Sequence, residues 1–324
     1  MITFPPKVVV AAVVLAGFST TAALSAYPER PIRYIVPSSP GTGPDIVARI
    51  LAPELSRQMG QQFVVDNRPG GSGTIGMDMM VRAVPDGHTI GYGTILTLAI
   101  NRSVLPKLPY DADKDLAPIV QYTSVPNLLA VTPSLPVKSV PELIDYAKKN
   151  PGKLLYASGG NASSPHLSGE LFKFMTGIDM VHVPYKGFVG AMSDLTQGRV
   201  QLMFYTLSAI ETFVKAGKLR GLAVTSLKRT PIFSELPTVA EAGVPGFEVV
   251  AWNGAIAPAR VPQAVIARLN AEMNKALAST AVREKLVALG YEIVGGTPEQ
   301  FAGHIRKETV KWADVVKRAG VKVD

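Results

Sequence analysis

The chain has 324 residues and no cysteine, so it can hold one large or two medium domains around a substantial core, and disulfides, thiolate metal sites and cysteine nucleophiles are excluded. Its 33 basic and 25 acidic residues leave a net charge of +8, but the basic residues are scattered without a stripe, tail or recognition motif, which argues against a nucleic-acid partner. Hydrophobic residues make up 47% and charged ones 18%, against a largely disordered chain, and the histidines, His88, His166, His182 and His304, include no pair spaced as metal ligands on one helix.

Residues 1–26 read as an export signal. Lys7 supplies the basic end, VVVAAVVLAGF from Val8 to Phe18 the apolar run, and STTAALSA the small-residue stretch before Tyr27 and Pro28. A run of about eleven residues is too short to span a bilayer comfortably. Cleavage is expected after Ala26, with Ala23 as second choice and an uncleaved anchor as the alternative. No later run is comparably apolar, and no cysteine is available for a lipid anchor, so the expected product is a free protein in the periplasm.

The mature chain then alternates strands and helices. IRYIV at 32–36 is a short apolar strand ending in the dense turn PSSPGTGP. From Asp45 a helix is expected to bury Ile46, Val47, Ile50, Leu51 and Leu55, with Pro44 in its first turn and Gly60 as its stop. Strands at 62–66 and 88–93 flank a helix at 75–84. A second set follows from Asn127: strands at 128–131, 154–158, 181–185, 200–205 and 219–226, with helices at 140–149, 166–175, 189–197 and 210–216. Two long helical patterns, 263–288 and 298–319, close the chain around a strand-like YEIV. This is an α/β chain with mainly parallel sheet in two lobes, with crossings expected near 122–127 and 248–253. The crevice between such lobes, beyond the carboxyl ends of the strands, is the default site.

Several strand-end loops carry the chemistry. In the first, Gly41, Thr42 and Gly43 offer backbone N–H groups, Ser38, Ser39 and Thr42 offer hydroxyls, and the following helix start favours an anion. It lacks the Gly-Lys-Ser/Thr of a P-loop. Asp45 either accepts backbone hydrogen bonds that rigidify this loop or receives a donor from a ligand. The 67–74 loop, NRPGGSGT, is either an anion nest or a tight turn with Arg68 in an internal salt bridge. Thr94 and Thr97 offer hydroxyls near a strand end. The 158–166 loop repeats the logic of the first: Ser158, Asn161, Ser163 and Ser164 precede or open a helix, with His166 as a structural neighbour. Tyr185 can wall a pocket, Lys186 is an anion contact or a solvated lysine, and Tyr205 and Thr206 close a strand at what reads as the same mouth. Two such loops suit a ligand with a carboxylate at each end, held by neutral donors. No G-x-S-x-G is present, and pairing Asp45 with His166 or His182 has no support in spacing, so a secreted hydrolase is the weaker alternative.

The runs YPERPIRYIVPSSPGTGPDIVAR, VVDNRPGGSGTIG, VRAVPDGHTI, YASGGNASSPHLSGELFK, VHVPYKG, DLTQGRV and LPTVAEAGVPGFEVVAWNG, in this order, resemble the TctC family over essentially the whole mature chain. These are the extracytoplasmic solute receptors of the tripartite tricarboxylate transporter system, also called Bug receptors. The resemblance implies a two-lobed, periplasmic-binding-protein-like fold of the type 2, Venus flytrap kind. Lobe one would comprise 27–125 plus 251–324, and lobe two 126–250. It implies capture of a small carboxylate without catalysis or cofactor, and a two-subunit membrane permease as partner. A sensory or scavenging receptor without that permease is the alternative, and a monomer is the simplest state for a shuttle. Carried over residue by residue, the solute contacts fall on Ser39, Gly41, Thr42, Asp45, Ser158, Ser163 and Ser164, with Thr94, Tyr205 and Thr206 at further strand ends. The first loop departs from the family pattern: Ser38 replaces an aromatic, Ser39 a proline, and Thr42 a glycine whose φ > 0 freedom threonine lacks.

Overall fold

The computed structural model describes residues 27–161, 163–185 and 187–320. The export signal and Lys186 lie outside the described residues. In chain order the elements are β1 (Ile32–Val36), α1 (Gly43–Met59), β2 (Phe63–Asn67), α2 (Thr74–Val81), β3 (Thr89–Thr94), a π-helical turn (Leu96–Ile100) running into α3 (Asn101–Val104), and β4 (Leu116–Val131). Then come α4 (Val140–Lys149), β5 (Leu154–Ser158), α5 (Ser164–Thr176), β6 (Met180–Pro184), α6 (Phe188–Thr196), β7 (Leu202–Thr206), α7 (Leu207–Lys215) and β8 (Arg220–Val224). The chain closes with β9 (Val250–Pro258), α8 (Gln263–Ala278), α9 (Thr280–Ala288), β10 (Glu292–Gly295) and α10 (Pro298–Ala319).

The strands lie in the order β2-β1-β3-β9-β4-β7-β5-β6, with β8 and β10 also paired to β4. On one side β1 runs parallel to β2 and β3; on the other β5 runs parallel to β6 and β7. Between them β9 and β4 are antiparallel to each other and to their outer neighbours, so the mainly parallel sheet expected from the sequence is mixed at its centre. The reason is that the crossings are themselves strands. Leu116 to Pro126 of β4 pairs with β9, and Asn127 to Val131 of the same strand pairs with β7. The result is two α/β halves on one curled sheet, the periplasmic-binding-protein-like architecture.

Two helices differ from the pattern reading. In α1 the buried face is Val47, Ala48, Leu51, Ala52, Leu55 and Met59, while Ile46 is 37% exposed. The helix packs on β2 and is also covered by α8 and α9, so the apolar stripe is rotated towards small residues that allow close helix contact. The expected 263–288 helix is two helices broken at Ser279, whose φ of −66° and ψ of 139° are extended.

Apolar packing is continuous across the two halves. One core cluster runs from Met77, Met80 and Leu98 through Trp252, Phe301 and Trp312 to Leu129, Phe172 and Phe204. Helix α10 is its centrepiece. A capping box of Thr297 and Gln300 starts the helix, and Phe301, Ile305, Trp312, Val315 and Val316 form one buried stripe. Glu308 sits on that stripe with its carboxylate accepting the indole N–H of Trp252 at 3.0 Å, that of Trp312 at 2.9 Å and Lys311 Nζ at 2.7 Å. Burial alone would raise its pKa, but Lys311 and the two indoles outweigh burial and hold it below the usual value. Replacing Glu308 by Ala leaves both indole donors buried and unpaired, so Glu308→Ala should lose about 3 kcal/mol or more in urea unfolding. Glu308→Gln retains an acceptor and should lose less; equal losses would contradict this role.

Candidate functional site

In the first half the carboxyl ends of β2, β1 and β3 emerge side by side because the three strands are parallel neighbours. Their loops pack against one another. A Cβ on Gly73 would meet Thr97 Cγ2 at 2.7 Å and the Pro37 carbonyl at 3.4 Å, and one on Gly76 would meet the Arg68 carbonyl at 2.8 Å. Asn67 Nδ2 donates to the Ser38 carbonyl at 3.1 Å. In the 67–74 loop Arg68 pairs with Asp66 at 2.8 Å, the internal-bridge alternative. Asn101 Nδ2 holds the Ser72 carbonyl at 3.0 Å, where Ser72 takes a left-handed φ of 54°.

Asp45 takes the structural branch of its two readings. Only 3% exposed, it accepts the Gly41 N–H at 2.8 Å and Arg49 Nε at 2.9 Å. Burial raises its pKa, but the Gly41 N–H, Arg49 and Asn67 outweigh burial and lower it. The Gly41 N–H is therefore already bonded within the loop. Gly41 itself supplies the positive φ of 79°, which leaves Thr42 extended at φ −82° and ψ 164°, so threonine fits where the family pattern has glycine. Thr42 Oγ1 lies 2.7 Å from the Ser39 carbonyl and 3.0 Å from Ser38 Oγ. Ser39, Gly41 and Thr42 are exposed and Ser38 is half-buried. Thr94 and Thr97 cap one another: the Thr94 N–H donates to Thr97 Oγ1 at 3.0 Å and the Thr97 N–H to Thr94 Oγ1 at 3.3 Å. That reciprocal pair precedes the helical turn at Leu96–Ile100, which follows β3 almost directly.

In the second half β5 lies between β6 and β7, so Ser158, Pro184 and Thr206 end together. Ser158 is fully buried. Its Oγ is 2.7 Å from His182 Nε2 and 3.0 Å from the Gly160 carbonyl, and accepts the Gly160 N–H at 3.1 Å. Ser163 Oγ donates to the Gly160 carbonyl at 2.7 Å rather than capping α5. Ser164 Oγ accepts Asn127 Nδ2 at 3.0 Å, and Asn161 is exposed. Tyr205 stacks near Phe188, with ring centroids 4.8 Å apart, and its hydroxyl lies 3.6 Å from a Cβ built on Gly159. Thr206 faces Asn127 in the sheet. Tyr185 donates its hydroxyl to Asp194 at 2.7 Å and its N–H to the Ser158 carbonyl at 3.1 Å, which ties it to α6.

The structure thus gathers Ser38, Ser39, Gly41, Thr42, Asp45 and Thr94 at the strand ends of one half. It gathers Ser158, Asn161, Ser163, Ser164, Tyr205 and Thr206 at those of the other. Two residues outside the sequence-derived set belong to the second group. His182 holds Ser158, and Asn127, a polar residue in the apolar run VPNLLAV, holds Ser164. Asn127 is fully buried with Oδ1 unpaired, a cost of about 1–3 kcal/mol. The Ser158 and His182 pair has the composition of a nucleophile and base, but Ser158 is 0% exposed and bound to Gly160, which denies it a substrate. Chemically the two groups are built from neutral hydroxyls and backbone amides, several of them already bonded within their own loops.

The model of the tripartite tricarboxylate transporter family receptor, TctC, matches residues 47–321. The solved structure of R. palustris Rpa4515 with adipate is 42% identical, with a TM-score of 0.81, covering 91% of this chain and 99% of that one. That of MatC (Rpa3494) from Rhodopseudomonas palustris with bound malate is 31% identical, with a TM-score of 0.77, covering 90% and 100%. The UPF0065 protein in the tcbD-tcbE intergenic region of Pseudomonas sp. (strain P51) is 42% identical over 294 residues, 90% of this chain and 87% of the relative.

Behind the second loop group His166 and His182 stack with centroids 3.7 Å apart and planes 4° from parallel. Burial, with Lys173 adding for His166 and the neighbouring His166 for His182, lowers both pKa values from 6.5 to about 4. The folded state therefore holds them neutral, while the unfolded chain binds their protons below 6.5. Their contribution to stability is complete above pH 6.5 and is lost as pH falls towards 4. The melting temperature should fall by several degrees across that window, and a His166→Gln, His182→Gln protein should show a shallower decline; equal slopes would refute this assignment.

Proposed function

The chain belongs to the tripartite tricarboxylate transporter receptor family, and we propose that it is a periplasmic receptor that captures a small organic mono- or dicarboxylate without altering it. The observation that carries this reading is the pairing of two strand-end loop groups, one in each half, each built from hydroxyls and backbone amides around a helix start. On this reading the chain divides into lobe one, 27–125 plus 251–324, and lobe two, 126–250. One carboxylate would bind the Ser38–Thr42 side with Thr94. The other would bind the Ser158–Ser164 side with Tyr205 and Thr206. Asp45 acts there by holding the Gly41 N–H, and so the loop. The adipate and malate of the relatives' structures are ligands of this chemical type.

Closure of the lobes around the solute would exclude water and strengthen these neutral donors against the carboxylate charge. Residues 1–26 direct export and are removed near Ala26, a membrane permease receives the loaded protein, and the receptor travels as a monomer.

Calorimetric titration of the mature protein against citrate, malate, adipate, glutamate, nicotinate and terephthalate tests the reading. Saturable binding of at least one carboxylate is expected; binding of an uncharged sugar or a cation instead would overturn the substrate class. Thr42→Arg and Ser163→Arg should each weaken binding about tenfold or more with melting preserved, because each fills the space a carboxylate needs. Unchanged affinity in both would remove the two loops from the site.

A further inference from the structure

We propose that Asn127 is a positioning residue that sets the Ser164 hydroxyl as a hydrogen-bond donor to the bound carboxylate. This rests on the receptor reading above. The side chain is fully buried on β4 where that strand passes from β9 to β7, and its Nδ2 lies 3.0 Å from Ser164 Oγ and 3.0 Å from Ser168 Oγ.

Counting protons decides which end of the amide faces the serines. Ser168 gives its one hydroxyl proton to the Ser164 carbonyl at 2.8 Å. Ser168 Oγ is left as an acceptor, so it must face the amide NH2 and not the amide oxygen. One amide proton then goes to each serine. Ser164 Oγ is thereby an acceptor towards Asn127, and its own proton must point elsewhere. Among the described residues nothing accepts it. Ser164 is the first residue of α5, half-buried beside the 158–163 loop, where the only charge a helix start favours is negative.

The hydroxyls of Ser163 and Ser158, and of Thr42 in the other half, differ in this respect. Ser163 gives its proton to the Gly160 carbonyl at 2.7 Å, and Thr42 has the Ser39 carbonyl at 2.7 Å. Ser158 stands between the Gly160 carbonyl and His182. An oxygen whose proton is spent turns lone pairs towards a carboxylate, whereas Ser164 offers a charge-assisted hydrogen bond. The amide that enforces this is carried by rigid sheet. The Asn127 N–H donates to Thr225 Oγ1 at 2.8 Å, and its carbonyl accepts the Thr225 N–H at 2.9 Å.

A double-mutant cycle on the mature protein, titrated with adipate, tests the proposal; if the wild type prefers another carboxylate of the panel, that compound is the probe. Asn127→Asp keeps the shape but replaces the donor by an acceptor, which draws the Ser164 proton inwards. In the Ser164 background it should weaken binding about tenfold, the worth of one charge-assisted hydrogen bond. In the Ser164→Ala background the further change should stay within about twofold. Equal losses in both backgrounds, or none in the first, would overturn the proposal. Should the new carboxylate abolish cooperative melting, Asn127→Ser, too short to reach Ser164, runs the same cycle under the same criteria. A wild type that binds no carboxylate at all would instead defeat the receptor reading, and the proposal with it, which is a different result from additive losses.

Discussion

The antiparallel pairing of β4 with β9 is the constraint on which the rest of this structure depends. A chain that leaves one half, builds the other and returns must carry polar backbone twice through the junction, and buried N–H and C=O groups need partners there. Pairing the outgoing strand with the returning one satisfies both crossings at once. The junction is tied further by Thr225. Its Oγ1 accepts the Asn127 N–H at 2.8 Å and lies beside the carbonyls of Asn127 and Val249, so three chain segments meet at one hydroxyl. Register shifts in β4 between Pro118 and Val120 and between Gln121 and Thr123 add local twist, in keeping with the curl of the sheet.

The two halves solve the same loop problem with different side chains. A glycine-rich strand-end loop must be held in one shape by bonds of its own. In the first half a buried carboxylate, Asp45, takes the Gly41 N–H at 2.8 Å. In the second a buried hydroxyl, Ser158, takes the Gly160 N–H at 3.1 Å and is itself held by His182. Each device consumes a donor that the primary structure presents as bare. The glycines of these loops therefore serve loop shape, and the donors left over are fewer than the Gly, Ser and Thr count suggests. Trp252 and Trp312 both donate to Glu308, which fixes α10 where it packs against β4 and α5.

The parts legible in sequence were those set by local physics. Gly60 ends α1 in the left-handed conformation, and Ser139 caps α4, as their types require. The strand-to-helix loops fall where the Gly, Pro and Ser clusters stand. Ile46 was misplaced because a helix covered on two sides buries a face that periodicity alone does not choose, and the alanines that allow α8 and α9 to approach carry little hydrophobic signal. The strand expected at 128–131 is only the end of β4, which begins at Leu116 and keeps Pro118 and Pro126 within it as it pairs with β9.

The alternation of strands and helices, the family and the loops that carry hydroxyls and glycines can be read from neighbouring residues, because turn chemistry, periodicity and motif order are local. Which donors in those loops remain free depends instead on contacts between distant residues. Asp45 and Gly41 are four residues apart, but Ser158 meets His182 across two strands, and Ser164 meets Asn127 from 37 residues away. A hydroxyl has one proton, and where it points depends on which acceptors the fold brings within 3 Å, a fact of three-dimensional neighbours that no local pattern encodes.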